Sequence, residues 1–153
     1  MITLRIYDRH DGSLAFDLRH LIDLLAPRSL DASWKVSPVT LNDPHLDCSF
    51  EEFMCTGPTD SGQFDLERLA ADGSVVNGNT FSEAAHAAYQ VIWGQFVATV
   101  PNQKHPWAVI RAIDSTFYEV TSADQIVLNA IRSAYKDVRV ASGPVKSIPI
   151  EEV

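Results

Sequence analysis

Ile2, Leu4 and Ile6 alternate with Thr3, Arg5 and Tyr7, the two-residue period of a strand with one buried face. Asp11-Gly12 then supplies a turn, and Asp17 stands where it can cap a helix whose apolar residues Leu18, Leu21, Ile22 and Leu25 recur at helical spacing before Pro27. Trp34 to Leu41 reads as a second strand, made an edge or an interrupted one by Pro38. From Asn42 to Gly78 the pattern dissolves, because Pro44, Gly57, Pro58, Gly62, Gly73 and Gly78 break up short apolar pieces such as Phe50 to Met54 and Phe64 to Ala71. Thr80-Phe81-Ser82-Glu83 matches a capping box and opens a helix over Ala84 to Ala88.

The C-terminal half is clearer. Tyr89 to Val100 and Trp107 to Asp114 are apolar strands joined by the Pro101 to Pro106 loop, and Asp114-Ser115-Thr116 turns into a third strand, Phe117 to Thr121. Ser122 is placed to cap a helix with Gln125 at the reciprocal position, and Val127, Ala130, Ile131, Ala134 and Val138 form its apolar face. Val138 to Ala141 adds a last strand. The pattern predicts one α+β domain over residues 1–142, an antiparallel or mixed sheet with a C-terminal meander packed by helices. Residues 143–153 read as a loosely ordered tail. A chain of 153 residues buries enough surface to fold without disulfides or a structural metal.

Ala84 to Gln103 carries no formal charge, the length of a membrane span, but His86, Gln90, Gly94, Gln95 and Thr99 interrupt it. It reads as a helix running into a buried strand. Arg5, Asp8, Arg9 and Asp11 deny the N-terminus the uncharged stretch of a secretory signal, so a cytoplasmic location is expected. There Cys48 and Cys55 stay reduced and serve as small, partly buried hydrophobes, with a regulatory disulfide as the alternative.

Charge changes the picture more than composition does. Twelve Lys and Arg oppose twenty Asp and Glu for a net −8, and both ends of the chain are balanced. Between Asp31 and Val91 ten carboxylates face only Lys35 and Arg68, which accounts for the whole excess. Direct nucleic-acid binding and anionic membranes are disfavoured, since both draw their affinity from Lys and Arg. An acidic surface attracts a basic partner instead, or serves solubility alone.

Catalytic motifs are missing. Gly57-Pro58-Thr59-Asp60-Ser61-Gly62 lacks the Lys-Ser/Thr of a phosphate loop, and no nucleophile elbow, dinucleotide loop or paired-histidine helix occurs. Asp43-x-His45-x-Asp47-Cys48, with Cys55 nearby, mixes hard and soft ligands without the paired spacing of a zinc site and reads as a solvated acidic loop. Asp114 and Ser115 read as turn residues, because no base is aimed at the hydroxyl. Arg111 is expected to pair with Glu119 across the hairpin in a structural role. Trp93, Trp107, Phe96 and Phe117 read as core or sheet-face residues. Trp34, beside Lys35 and near the acidic segment, is the aromatic most open to partial exposure and to anchoring an interface, with core burial the favoured reading. No catalytic, cofactor-binding or metal-ligating residue is assigned.

Val91-Ile92-Trp93-Gly94-Gln95-Phe96, then Ala108 to Thr116 and Glu119-Val120-Thr121-Ser122-Ala123-Asp124, resemble small acidic bacterial cytosolic proteins that act as immunity partners of secreted antibacterial toxins. The resemblance covers Tyr89 to Val138 in texture and carries no binding residue across. It implies a non-enzymatic protein that binds and neutralises a toxin domain, often a basic nuclease. The acidic middle then nominates Trp34, Asp43, Asp47, Glu51, Glu52, Asp60, Asp65 and Glu67 as partner contacts, without cofactor. The alternatives are a small enzyme or ligand-binding protein with a site around Asp43, His45 and Asp114, and a homo-oligomeric structural domain built on the apolar strands.

Overall fold

The computed structural model describes residues 1–43, 45–57 and 62–147. In chain order its elements are β1 (Ile2–Ile6), β2 (Arg9–His10), β3 (Ser13–Leu14), α1 (Leu18–Leu24), α2 (Arg28–Asp31), β4 (Ser33–Ser37), β5 (Val39–Asp43), β6 (Cys48–Glu52) and β7 (Met54–Thr56). Then follow α3 (Gly62–Asp72), β8 (Val75–Asn77), α4 (Gly78–Ala87), β9 (Gln90–Thr99), β10 (Ala108–Ile113), β11 (Phe117–Ser122), α5 (Gln125–Ala134) and β12 (Val138–Ala141). The main sheet has eight strands in the order β12-β1-β11-β10-β9-β4-β8, with β7 also paired to β9, and every pairing is antiparallel. This is the expected α+β domain, and β9, β10 and β11 form the expected meander. Among the described residues, no helix is long and apolar enough to cross a membrane.

Alternation along the strands decides which face is buried against what. Leu4, Ile6, Trp34, Val36, Phe96, Ile110, Tyr118 and Val120 project from one face into the main core, where Leu18, Leu21 and Ile22 of α1, Leu66 of α3, Phe81 of α4 and Leu128 and Ile131 of α5 meet them. All these helices therefore cover the same face. Among the described residues the opposite face is helix-free, and it carries a smaller second core of Val39, Leu41, Trp93, Ile113 and Phe117. Among the named strands β5 and β6 pair with each other alone, as a hairpin that leaves the sheet after Pro38 and returns at β7. Leu41 and Phe50 are cross-strand partners on its inner side, which turns it onto the second core.

Several local expectations need correction. Trp34 is fully buried, with its indole stacked on Phe81 at 4.5 Å between centroids and its Nε1 donating to the Ser29 carbonyl at 2.8 Å. Its neighbour Lys35 does reach solvent, but adjacent strand residues point to opposite faces, so exposure of one argues for burial of the other. The strand is not an edge either, because β4 lies between β9 and β8. Pro38 instead marks an interruption.

α4 is capped by Asn77, whose side chain accepts the Thr80 amide at 2.8 Å, and so begins earlier than the Thr80 capping box predicts. α5 is capped by Asp124, which accepts the Ile126 amide at 2.9 Å. Ser122 is still in β11 and donates its hydroxyl to the Trp107 carbonyl at 2.6 Å. Ala134 is exposed, and the buried residues of α5 are Val127, Leu128 and Ile131. The described residues between Asn42 and Gly78, unreadable as a pattern, include the strands β6, β7 and β8 and the helix α3. Cys55 is buried and Cys48 is exposed, and neither forms a disulfide.

Candidate functional site

The helix-free face holds a row of side chains running across the sheet at one register level. Arg139 is opposite Arg5, Arg5 opposite Glu119, Glu119 opposite Arg111, Arg111 opposite Gln95, and Gln95 opposite Ser37. Each strand contributes one residue because the odd positions of β1 and β11 face away from the helices. The cross-hairpin pairing of Arg111 with Glu119 is present as expected, with Nη1 to Oε1 at 2.9 Å. Arg5 joins from the other side, its Nε 3.0 Å from Oε2 of the same carboxylate.

Glu119 is fully buried and Arg111 is 6% exposed. Burial pulls the Arg111 guanidinium below its ordinary value, and the charge and hydrogen bond of Glu119 oppose that pull. Farther out, Arg139 is held by Asp137 at 2.9 and 3.1 Å and lies 4.0 Å above the centre of the Tyr7 ring.

A strap of chain closes over this row. The Val145 amide donates to Glu119 at 2.9 and 3.2 Å, and the Val145 carbonyl accepts from Arg111 Nη1 at 3.0 Å, so the ion pair grips both backbone groups of one residue. The Asn42 amide donates to the Lys146 carbonyl at 2.9 Å, and Ser147 forms a parallel bridge with Asn42. Val145 also packs on the second core. Residues 143–147, expected within a loose tail, are thus stitched to β5 and to the sheet. The signal was out of sequence reach, since Val145 and Glu119 are 26 residues apart and Arg5 and Glu119 are 114 apart.

The acidic contacts nominated from the sequence are divided by the fold. Asp43, Asp47, Glu51 and Glu52 belong to the β5–β6 hairpin, on the helix-free side of the sheet. Asp65 and Glu67 are on α3, whose Leu66 is packed into the main core on the other side. Asp65 pairs with Arg68 at 3.0 Å, whereas no ion pair among the described residues engages the four hairpin carboxylates. Asp60 lies outside the described residues. Trp34 belongs to neither group, being buried.

At the hairpin's turn Asp47 adopts a left-handed φ of 49°, and Leu46 beside it is 71% exposed. The Asp43 carboxylate accepts the His45 amide at 2.8 Å, which fixes the base of the turn. Val39 and Leu41, fully or almost fully buried, root the hairpin in the second core. The result is a hairpin rooted in the second core whose turn presents an apolar side chain between carboxylates. Among the described residues no group of three or more His, Cys, Asp and Glu is arranged to hold a metal ion. Asp43, His45, Asp47 and Cys48 sit on this hairpin, whereas Cys55 is buried in β7, where desolvation first and then Glu67 and Asp17 push its thiol up to about 11.

The Asp114-Ser115 pair forms the β10–β11 turn, with φ of 52° and 55° and the Thr116 amide returning to the Ile113 carbonyl at 2.9 Å. Gln90 Nε2 donates to the Ser115 hydroxyl at 3.1 Å. No base is directed at that hydroxyl by any contact seen among the described residues. A separate polar cluster gathers on Asp17, which caps α1 and also accepts the Tyr118 hydroxyl at 2.7 Å and the Val91 amide at 3.2 Å. Burial and the neighbouring Asp17 carboxylate hold the Tyr118 phenol well above its ordinary value, so it stays protonated and donates. Its work is to tie α1 to β9 and β11.

Comparison of the chain with protein-family models, with curated proteins and with solved structures finds no match.

Proposed function

We propose that this chain is a non-enzymatic binding protein that docks a basic protein partner on the tip of its β5–β6 hairpin and, as the resemblance to immunity proteins implies, neutralises a toxin domain in that way. The observation that supports this reading is the hairpin tip itself. It sets Leu46, 71% exposed, between Asp43 and Asp47, with Glu51 farther back on β6 opposite Thr40, and none of these carboxylates is in an ion pair among the described residues. An apolar anchor flanked by carboxylates suits a cationic cleft: the charges raise the encounter rate and orient the partner, and burying the leucine slows release. Occlusion of such a cleft inhibits an enzyme without chemistry by the inhibitor.

The fold allows a sharper test than the acidic segment as a whole. The partner is co-purified from the source cells, and its binding is measured at low and high salt. The native chain is compared with a hairpin variant (Asp43→Asn, Asp47→Asn, Glu51→Gln) and a helix variant (Asp65→Asn, Glu67→Gln). Association is expected to slow with added salt and with the hairpin variant, and to be unchanged in the helix variant; Leu46→Ala should raise the dissociation rate. Co-expression with the isolated toxin domain should restore growth with the native chain and fail with the hairpin variant. Salt-insensitive association together with undiminished binding by the folded hairpin variant would remove the hairpin from the interface.

A further inference from the structure

Between β5, the strap and the helix-free face lies a groove of about 700 Å³. Its floor is sheet: Thr3 on β1, Thr121 on β11 and Val109 on β10 lie side by side in one row, and Gln95 on β9 lies in the next, opposite Arg111. Thr40 and Asn42 form one wall, and Gly143 to Lys146 form the other. The walls are fixed independently of any ligand, since the Lys146 carbonyl holds the Asn42 amide and Val145 is gripped by Glu119 and Arg111.

Three observations bear on what this groove takes. First, charge: Arg111 and Lys146 line it, and no Asp or Glu does, in a chain whose net charge is −8. On the same face, one register row along, two guanidiniums, Arg5 and Arg111, share the single carboxylate of Glu119, so this largely buried cluster, with Arg5 at its partly exposed edge, keeps an excess positive charge. Burial makes such an excess costly and makes a nearby anion correspondingly favourable.

Second, hydrogen bonding: Arg111 meets both Glu119 and the Val145 carbonyl through Nη1, and its buried Nε has no partner among the described residues. A guanidinium has five donors, and a buried donor left unmatched calls for an explanation. Third, shape: Val109, Val145 and Pro144, with the threonine methyls, give the groove mostly apolar walls.

We propose that this groove is a binding site for a small organic anion, a carboxylate carried on a short apolar body. Its charged end lies toward Arg111 and Lys146, and its apolar body lies along Val109 and Val145. The site is separate from the hairpin tip and does not depend on what that tip binds. It uses a buried positive residue of the fold that the hairpin's acidic partner-binding surface has no use for.

The test is an amide and arginine Nε–H NMR titration with hexanoate, run in parallel with 1-hexanol, which has the same chain length without the charge. Hexanoate is expected to give saturable shifts at Gln95, Val109, Val145 and Arg111 Nε–H, and to bind about tenfold or more tightly than hexanol, the scale of one charged hydrogen bond. Val109→Trp fills the groove from its floor while leaving the ion cluster in place, and should weaken hexanoate at least about tenfold, the scale of blocking a preformed pocket. Should that variant fail to fold, Thr40→Trp obstructs the groove from the exposed strand β5 and is expected to act in the same direction. Absence of saturable shifts, shifts scattered over surface lysines, equal binding of hexanol, or undiminished binding by a folded groove-filled variant would each overturn the site.

Discussion

Glu119 shows how one residue can decide several others. Its fully buried carboxylate accepts from Arg5, Arg111 and the Val145 amide, so it neutralises part of a cationic row and holds the strap at once. Removing one member of a buried ion pair leaves the other charged and unmatched, and typically costs about 3 to 5 kcal/mol. Glu119→Ala should therefore destabilise the protein by about that amount in urea unfolding. Glu119→Gln keeps an acceptor for Val145 and should lose less. A loss below about 1 kcal/mol for the alanine variant would mean that the row is hydrated and the strap detached, since only surface changes are that small. The Arg111–Glu119 pair was legible in the sequence because two strands joined by a tight turn set their register from that turn. Arg5 and Val145 were not, because nothing local specifies which distant strand or loop reaches the same carboxylate.

Elements were legible where a period ran long enough to outvote local exceptions. β9, β10 and β11 declared themselves through long apolar runs and one three-residue turn, and α1 through Asp17 and its apolar stripe. Between Asn42 and Gly78 the strands are three to five residues long, and β6 shows the burial of a surface hairpin, with Phe50 and Glu52 only partly covered. Two or three alternations cannot be told from chance. The start of α4 failed for a different reason. Thr80 and Glu83 satisfy the sequence form of a capping box, but Asn77 lies one turn earlier and takes the Thr80 amide itself. Gly78 then has to follow, because a Cβ there would lie 2.4 Å from the Ser29 and Leu30 carbonyl oxygens. The two readings of this helix start separate cleanly by mutation. Asn77→Ala should cost about 1 kcal/mol of stability, the usual worth of a side-chain cap, whereas Thr80→Ala should stay within about 0.5 kcal/mol. The reverse order in thermal unfolding would restore Thr80 as the cap.

At the scale of the whole molecule, the sheet separates two cores of unequal size, and function is assigned to the thinner side. The main core joins four helices to one face of the sheet, whereas the second is five buried residues under a two-stranded hairpin. The hairpin's backbone pairs only with itself and, through Asn42, with the strap. Regions with few buried contacts and little backbone pairing open at a lower free energy than the rest of a domain. Native-state hydrogen exchange should therefore show the amides of β5 and β6 exchanging by a local opening, well before those of β10 and β11, which exchange only on global unfolding. Leu41→Ala removes a side chain that is 1% exposed and serves only the second core. It should speed exchange across β5, β6 and the Lys146-bonded Asn42 amide, with the loss of about 2 to 5 kcal/mol expected of a core leucine falling on that local opening. Protection of β10 and β11 should change much less, because the main core on the other face is untouched. If the variant lowered protection uniformly across the sheet, the hairpin, the strap and the meander would form one cooperative unit, and the base of the proposed docking tip would be as rigid as the core itself.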